Sequence, residues 1–486
     1  MNALTRDLVK LVETAEQSQK TREELSVSDR KFREKLHLMP PVGWLNDPNG
    51  LCQFQGIYHA FFQYSPFNAE GGVKMWGHYT SKDMIKWEYQ GTALYPDQPF
   101  DCHGVYSGSA FIEDGKMYLY YTGNVKLEDG EYDYIRTGRE GNTVLVITED
   151  GKTFGKKKEL MRNSDYPDDL TCHVRDPKVW KENGTYYMVQ GARTKEDKGV
   201  VLVFSSEDKE HWKCIHRLQS EETFGFMWEC PDLYELDGYT VLSISPQGLE
   251  ADGWKYRNQY QTVAGIIHGD FRTDGVPGAF REIDGGFDFY APQTFVDSTG
   301  RRILIGWMGI PDADYTNPTE EAGWQHALTI PRELSVRDGK LIQEPIEELK
   351  QLRSEDKAVC TFCYGQTIIM QNAIYEAIVD FKRCREMVMT LREGITLSYK
   401  DNILTLNLGV YGSGRSTRKV RLEKLEHLQI FADTSSLEIF VNHGEEVFTT
   451  RIYNHYGRLL INGECSGIMT VYPLKSFEIE GGRHEE

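Results

Sequence analysis

Apolar and polar residues follow two rhythms along this chain. In the first 25 residues Leu4, Leu8, Leu11, Val12 and Ala15 fall at helical spacing with charges between them, which predicts an amphipathic helix packing that face on the body. From about residue 37 the rhythm shortens to strands rich in Tyr, Phe, Trp and Val, divided by Gly, Asp and Asn turns, an all-β pattern. One unit recurs, a Gly-led turn followed by an aromatic or aliphatic strand: GIYHAFFQY from Gly56, GKMYLYYTG from Gly115, GTYYMVQGA from Gly184, GYTVLSISP from Gly238 and GRRILIGWM from Gly300. A second recurrence, ending at Trp87, Phe154 and Trp212, places a polar turn with Asp before an aromatic. Five units of about 60 residues, each too short to bury its own apolar face, predict a five-bladed β-propeller.

Just before each Gly-led strand stand NDPNG (46–50), YSGSA (106–110), RDPKV (175–179), ECPDL (229–233) and YAPQT (290–294). Four of the five contain proline, which cannot donate to a ladder and so belongs to an unpaired edge, in a propeller the innermost strand beside the channel. Around residue 345 the pattern changes to the acidic, helix-like run PIEELKQLRSEDK, and beyond it period-two alternation in TLNL and LEIFV predicts a β-sandwich. The expected divisions are a helical extension over 1–36, the propeller over 37–344, a linker over 345–357 and the sandwich over 358–486.

Composition narrows the function. With 55 basic and 74 acidic residues the net charge of −19 has the wrong sign for a surface that recruits nucleic acid or anionic lipid. No stretch approaches 18 apolar residues, and the charged N-terminal segment does not read as a secretory signal, so a cytoplasmic protein is expected. Nine scattered cysteines favour free thiols. Cys360 and Cys363 form one CxxC with no second pair at zinc spacing, so neither a metal nor a cofactor is expected.

Three of the channel-facing segments carry a carboxylate beside proline or one residue from it: Asp47, Asp176 and Glu229. Taken singly, Asp47 reads as a turn residue and Asp176 as half of a surface ion pair, whereas Glu229 among Phe226, Met227 and Trp228 is harder to dismiss. Their recurrence at one phase of different repeats makes them neighbours. Carboxylates so gathered cannot all ionise freely, which suits glycosyl transfer to water, with one as nucleophile and another as proton donor. Trp44, Trp76, Tyr106, Tyr290 and Trp307 could stack on a sugar or fill blades; as a set they point to a carbohydrate pocket. The basic run Lys156 to Lys158 falls at an outer-strand phase and is expected to be a solvated turn.

WLNDPNG (44–50), RDP (175–177) and WECPD (228–232), in that order, resemble glycoside hydrolase family 32, the β-fructofuranosidases. FFQYSP (61–66), WGHYTS (76–81), YSGSA, FYAPQTF (289–295), IGWMG (305–309) and IPREL (330–334) are also similar to family blocks, and SLEIFVNHGEEVFTTRIY resembles the family's appended sandwich. The resemblance implies retention at the anomeric carbon, with Asp47 as nucleophile on C2 of the fructosyl unit, Glu229 as acid/base and Asp176 as transition-state stabiliser. It implies that Trp44, Asn46, Gln63, Trp76, Tyr106, Ser107, Arg175, Tyr290 and Trp307 line the substrate pocket. Arg175 is expected to favour ionisation of Asp176. One departure concerns the leaving-group side, where many relatives place a tryptophan and this chain reads SPFNAEGGVK. The substrate expected is a small molecule: sucrose, sucrose 6-phosphate or a short fructoside. A fructosyltransferase, a fructo-oligosaccharide or arabinan hydrolase and a non-catalytic sugar-binding propeller are the alternatives.

Overall fold

The computed structural model describes residues 2–28, 30–364, 374–454 and 458–481. Backbone stereochemistry explains the recurring turns. Gln55-Gly56, Asp114-Gly115, Asn183-Gly184 and Asp237-Gly238 have positive φ at both residues, the two-residue hairpin whose twist matches its flanking strands. In the second recurrence Asp83, Asp150 and Asp208 each accept two backbone N–H groups from the residues that follow. Ser81, Thr148 and Ser206 cap the same bends. These acids are turn formers and carry no chemistry.

The turns organise five antiparallel sheets. Their inner strands are Gly43–Phe54, Val105–Glu113, Leu170–Glu182, Met227–Leu236 and Tyr290–Val296, and their second strands Ile57–Ser65, Lys116–Lys126, Thr185–Thr194, Tyr239–Gln247 and Arg302–Met308. Successive inner strands pack on one another and the fifth meets the first, so the ring closes. Gln293 Nε2 donates to the Gly108 carbonyl of the second blade at 2.6 Å. Two distant segments complete the first blade in parallel: Trp324–Gln325 beside its inner strand and Glu478–Gly481 beside its outermost strand, Lys86–Leu94.

After Lys340–Pro345 the acidic run forms a 3-10 helix, Glu347–Leu352, with Leu349 and Leu352 buried. Beyond it a six-stranded and a five-stranded sheet enclose a core that includes Met389, Leu397, Leu406, Ile430 and Ile439. A buried ionic chain joins sandwich to propeller. His37 Nδ1 lies 2.7 Å from Asp433 and its Nε2 2.9 Å from Glu438, while Arg332 bridges Glu438 at 2.6 Å and Asp284 at 3.1 Å. Burial alone would lower the His37 imidazolium, but its two carboxylate partners raise it to about 10.

The N-terminal segment is a helix, Ala3–Leu25, that packs on the body through Val12 and Leu8 as expected, but its docked face is rotated away from Leu4 and Leu11. Leu4 and Leu11 are exposed, and Thr5, Val12 and Gln19 are buried. Polar contacts select that face: Glu16 accepts the hydroxyls of Tyr64 at 3.0 Å and Tyr89 at 2.7 Å, and Gln19 donates to the Ala322 carbonyl at 2.8 Å. A cavity of about 1020 Å³ lies beneath the helix, and none of the three carboxylates lines it. The basic run also differs in part. Lys158 is on an outer strand as expected, but the Lys157 side chain is only 9% exposed and paired with Asp97 and Asp101.

Candidate active site

Every inner strand slips register by one residue at the same height. The slips lie between Leu45 and Pro48, Val105 and Gly108, Arg175 and Lys178, Glu229 and Asp232, and Tyr290 and Gln293. In each, three steps along the inner strand match two on its neighbour, so one extra residue bulges and re-aims the side chains around it. Asp176, Cys230 and Ala291, the first bulged residues of three blades, have φ of 63°, 46° and 47°, and each precedes a proline. Such left-handed backbone costs energy that the surrounding blades must supply.

The bulges refine the expectation that the three acids share one phase. Glu229 is the last paired residue before its bulge, Asp176 is the first residue within one, and Asp47 the second. The carboxylates therefore leave the backbone at three successive positions of one motif.

Each has its own set of partners. Asp47 Oδ1 accepts from Asn46 Nδ2 at 3.0 Å, and its Oδ2 accepts from the Ser107 hydroxyl and from Gln63 Nε2 at 3.4 Å. Gln63 in turn is held by Asn46 and Ser107. Asp176 Oδ2 accepts the Cys230 N–H at 2.8 Å, and the Asp176 N–H donates to Thr122 Oγ1 at 2.9 Å. Glu229 Oε1 takes two bonds from Arg175, Nε at 3.0 Å and Nη2 at 2.7 Å, while its Oε2 accepts from Gln247 at 2.8 Å and the Tyr290 hydroxyl at 2.7 Å. Arg175 thus forks onto Glu229 rather than its sequence neighbour Asp176. Position accounts for this: Arg175 and Glu229 are corresponding residues of adjacent blades.

Burial dominates the electrostatics. It raises the Asp47 carboxyl, against the hydrogen bonds of Ser107 and Asn46. It raises Asp176 to about 7, opposed by the Arg175 charge and reinforced by Glu229. His173 accepts from Arg175 Nη1 at 2.5 Å and is pushed down to about 2 by burial and by Arg175, Arg139 and Arg193, so it stays neutral.

The aromatic residues divide by depth. Trp44 Nε1 donates to Asn46 at 2.9 Å, and its ring meets Trp307 and His326 edge-on. Tyr290 lies on Glu229 and also meets Trp307 edge-on. Tyr106 is half-buried at the rim. Trp76 sits behind it, fully buried in the core between the first two blades, and its indole N–H holds the Tyr106 carbonyl at 3.0 Å.

Sequence reasoning missed Gln247, Cys230, Lys74 and His326. Gln247 and the Cys230 N–H could have been found only by threading the hairpin partner of each bulge. His326, neutral and buried among Trp44 and Trp307 with both ring nitrogens unpartnered, gives no local signal. All nine cysteines are free thiols.

A closed ring of five sheets that gathers three carboxylates at the bulges of its inner strands defines a propeller glycoside hydrolase. Residues 37–345 match the glycosyl hydrolases family 32 N-terminal domain, and residues 369–471 the family 32 C-terminal domain. Among curated relatives the sucrose-6-phosphate hydrolase of Bacillus subtilis is 40% identical over 449 residues, covering 90% of this chain and 92% of that protein. The solved sucrose-6-phosphate hydrolase of Lactobacillus gasseri superposes with a TM-score of 0.85 at 28% identity, covering 96% of each chain. A Bombyx mori GH32 beta-fructofuranosidase, solved in complex with sucrose, superposes at 0.80 with 30% identity over 96% of this chain and 99% of its own. The chain belongs to glycoside hydrolase family 32.

Proposed function

We propose that this protein is a retaining β-fructofuranosidase of the cytoplasm whose substrate is sucrose 6-phosphate. The observation that carries the reaction is the trio of Asp47, Asp176 and Glu229, drawn from the inner strands of the first, third and fourth blades and each held by different donors. The activities of the Bacillus subtilis and Lactobacillus gasseri relatives support the substrate.

Asp47 attacks C2 of the fructosyl unit. Its carboxylate is fixed at both oxygens by Asn46 and Ser107, so little reorganisation precedes attack. Glu229 protonates the departing glycosidic oxygen, then takes a proton from the water that cleaves the fructosyl ester on Asp47. Tyr290, Gln247 and Arg175 orient Glu229. Asp176, steadied by the Cys230 N–H, places negative charge beside the oxocarbenium-like centre and accepts fructose hydroxyls.

Two measurements test the reading. The kcat/KM for sucrose 6-phosphate should exceed that for sucrose by about tenfold or more, roughly 1.4 kcal/mol of transition-state binding; equal values would remove the phosphorylated substrate. Glu229→Gln should lower kcat by about 10²–10⁴-fold while keeping substrate binding by calorimetry, and full turnover in that variant would remove Glu229 from the acid/base role.

A further inference from the structure

Lys74 lies in SPFNAEGGVK, the stretch that carries no tryptophan on the leaving-group side. The chain enters it through Gly71 and Gly72, at φ of 110° and 138°, a backbone that side-chain-bearing residues rarely adopt. The turn lays the Lys74 ammonium over the Trp44 ring, 5.1 Å from its centroid, and a Cβ at Gly71 would stand 3.7 Å from Nζ. On its other side Gly104 packs against both the Lys74 stem and the Tyr106 ring. Lys74 is thus seated between two rim aromatics, with Asp47 as the nearby acid that acts on it electrostatically.

The ammonium forms no ion pair or hydrogen bond among the described residues. A half-buried cation without a paired anion is costly, and desolvation pulls Lys74 down to about 7 despite Asp47. An arriving anion would supply the missing partner. The fructosyl ring that occupies the carboxylate trio is neutral, so the anion must belong to the leaving group.

We propose that Lys74 holds the phosphate of the leaving glucosyl unit and so sets the preference for a phosphorylated substrate. This rests on the substrate reading above. A lysine serves phosphate as a point charge without demanding one fixed orientation, and here it stands in the stretch that lacks the tryptophan. Arg139 is the rival cation: Tyr106 acts on its guanidinium electrostatically, and its Nε is buried without a partner.

The test measures kcat and KM for sucrose 6-phosphate and sucrose in the wild type, Lys74→Met, Lys74→Arg and Arg139→Gln. In Lys74→Met the ratio of the two kcat/KM values should fall by about tenfold or more, mainly through KM for the phosphorylated substrate. Lys74→Arg should restore most of it, and inhibition by glucose 6-phosphate should weaken in Lys74→Met with the ratio. If Lys74 only neutralises Asp47, both substrates lose kcat in equal proportion and the inference is overturned. It is also overturned if Lys74→Met keeps the wild-type ratio, whether or not Arg139→Gln loses it. A wild type with no preference sinks the substrate reading itself and this inference with it, whereas a preferring wild type and an unchanged variant sink the inference alone.

Discussion

Asp176 shows how the site trades stability for chemistry. Its folded carboxyl titrates near 7, well above the ordinary carboxylate range, so the folded chain binds a proton that the unfolded chain releases between about pH 4 and 7. This residue's contribution therefore favours folding more as pH falls through that window, and above pH 7 the buried charge weighs against the fold. Asp176→Asn should abolish turnover yet raise the thermal midpoint at pH 8, by about 1–2 kcal/mol in stability. The gain should shrink by pH 5, where the native carboxyl is protonated and nearly isosteric with the amide. Calorimetric scans at the two pH values measure it, and a midpoint that drops at pH 8 would refute the account. The carboxylates were legible in the sequence because each stands beside a proline or one residue from it. Lys74, His326 and the fork of Arg175 onto Glu229 were not, since each depends on side chains meeting across blades that are remote along the chain.

The hairpin turns are the most legible elements, and stereochemistry explains why. A position that needs positive φ in each of five repeats leaves a glycine in each, so Gly56, Gly115, Gly184, Gly238 and Gly300 expose the period directly. Gly184 isolates the effect: its φ is +87° and nothing lies within 4 Å of where a Cβ would be. Gly184→Ala should therefore cost roughly 1–2 kcal/mol through backbone strain alone, with KM for the substrate unchanged; denaturant midpoints equal to wild type would contradict this. The bulges leave a weaker mark, because proline reports an inner strand but not which residue is extra. The N-terminal helix was legible only in part, because apolar periodicity reports a face that could be buried, and of that face Leu8 and Val12 pack while Leu4 and Leu11 stay exposed. Hydrogen bonds from Tyr64 and Tyr89 to Glu16 decided which face was buried.

Across the whole molecule, His37 clamps the entry of the propeller to two sandwich carboxylates. Its folded pKa of about 10 exceeds the unfolded value of about 6.5, so its stabilisation is complete below about pH 6.5 and is lost as pH rises through 10. His37→Leu leaves the buried Asp433 without its cationic partner, while Glu438 keeps Arg332, and should cost about 3–5 kcal/mol at pH 6. The gap from wild type should narrow towards pH 10, as followed by thermal midpoints, and an unchanged midpoint at pH 6 would mean the chain of ions is dispensable. No single residue of this network stands out in the sequence, because its members come from four separate stretches.

The strand Glu478–Gly481 gives the molecule an order of assembly. The first blade to leave the ribosome receives its outermost strand only once residue 481 has been made, so its rim stays open to stray β-pairing throughout synthesis. Trimming the chain after the sandwich, at residue 475, should spare the carboxylate trio and still yield a protein prone to stick to its own copies.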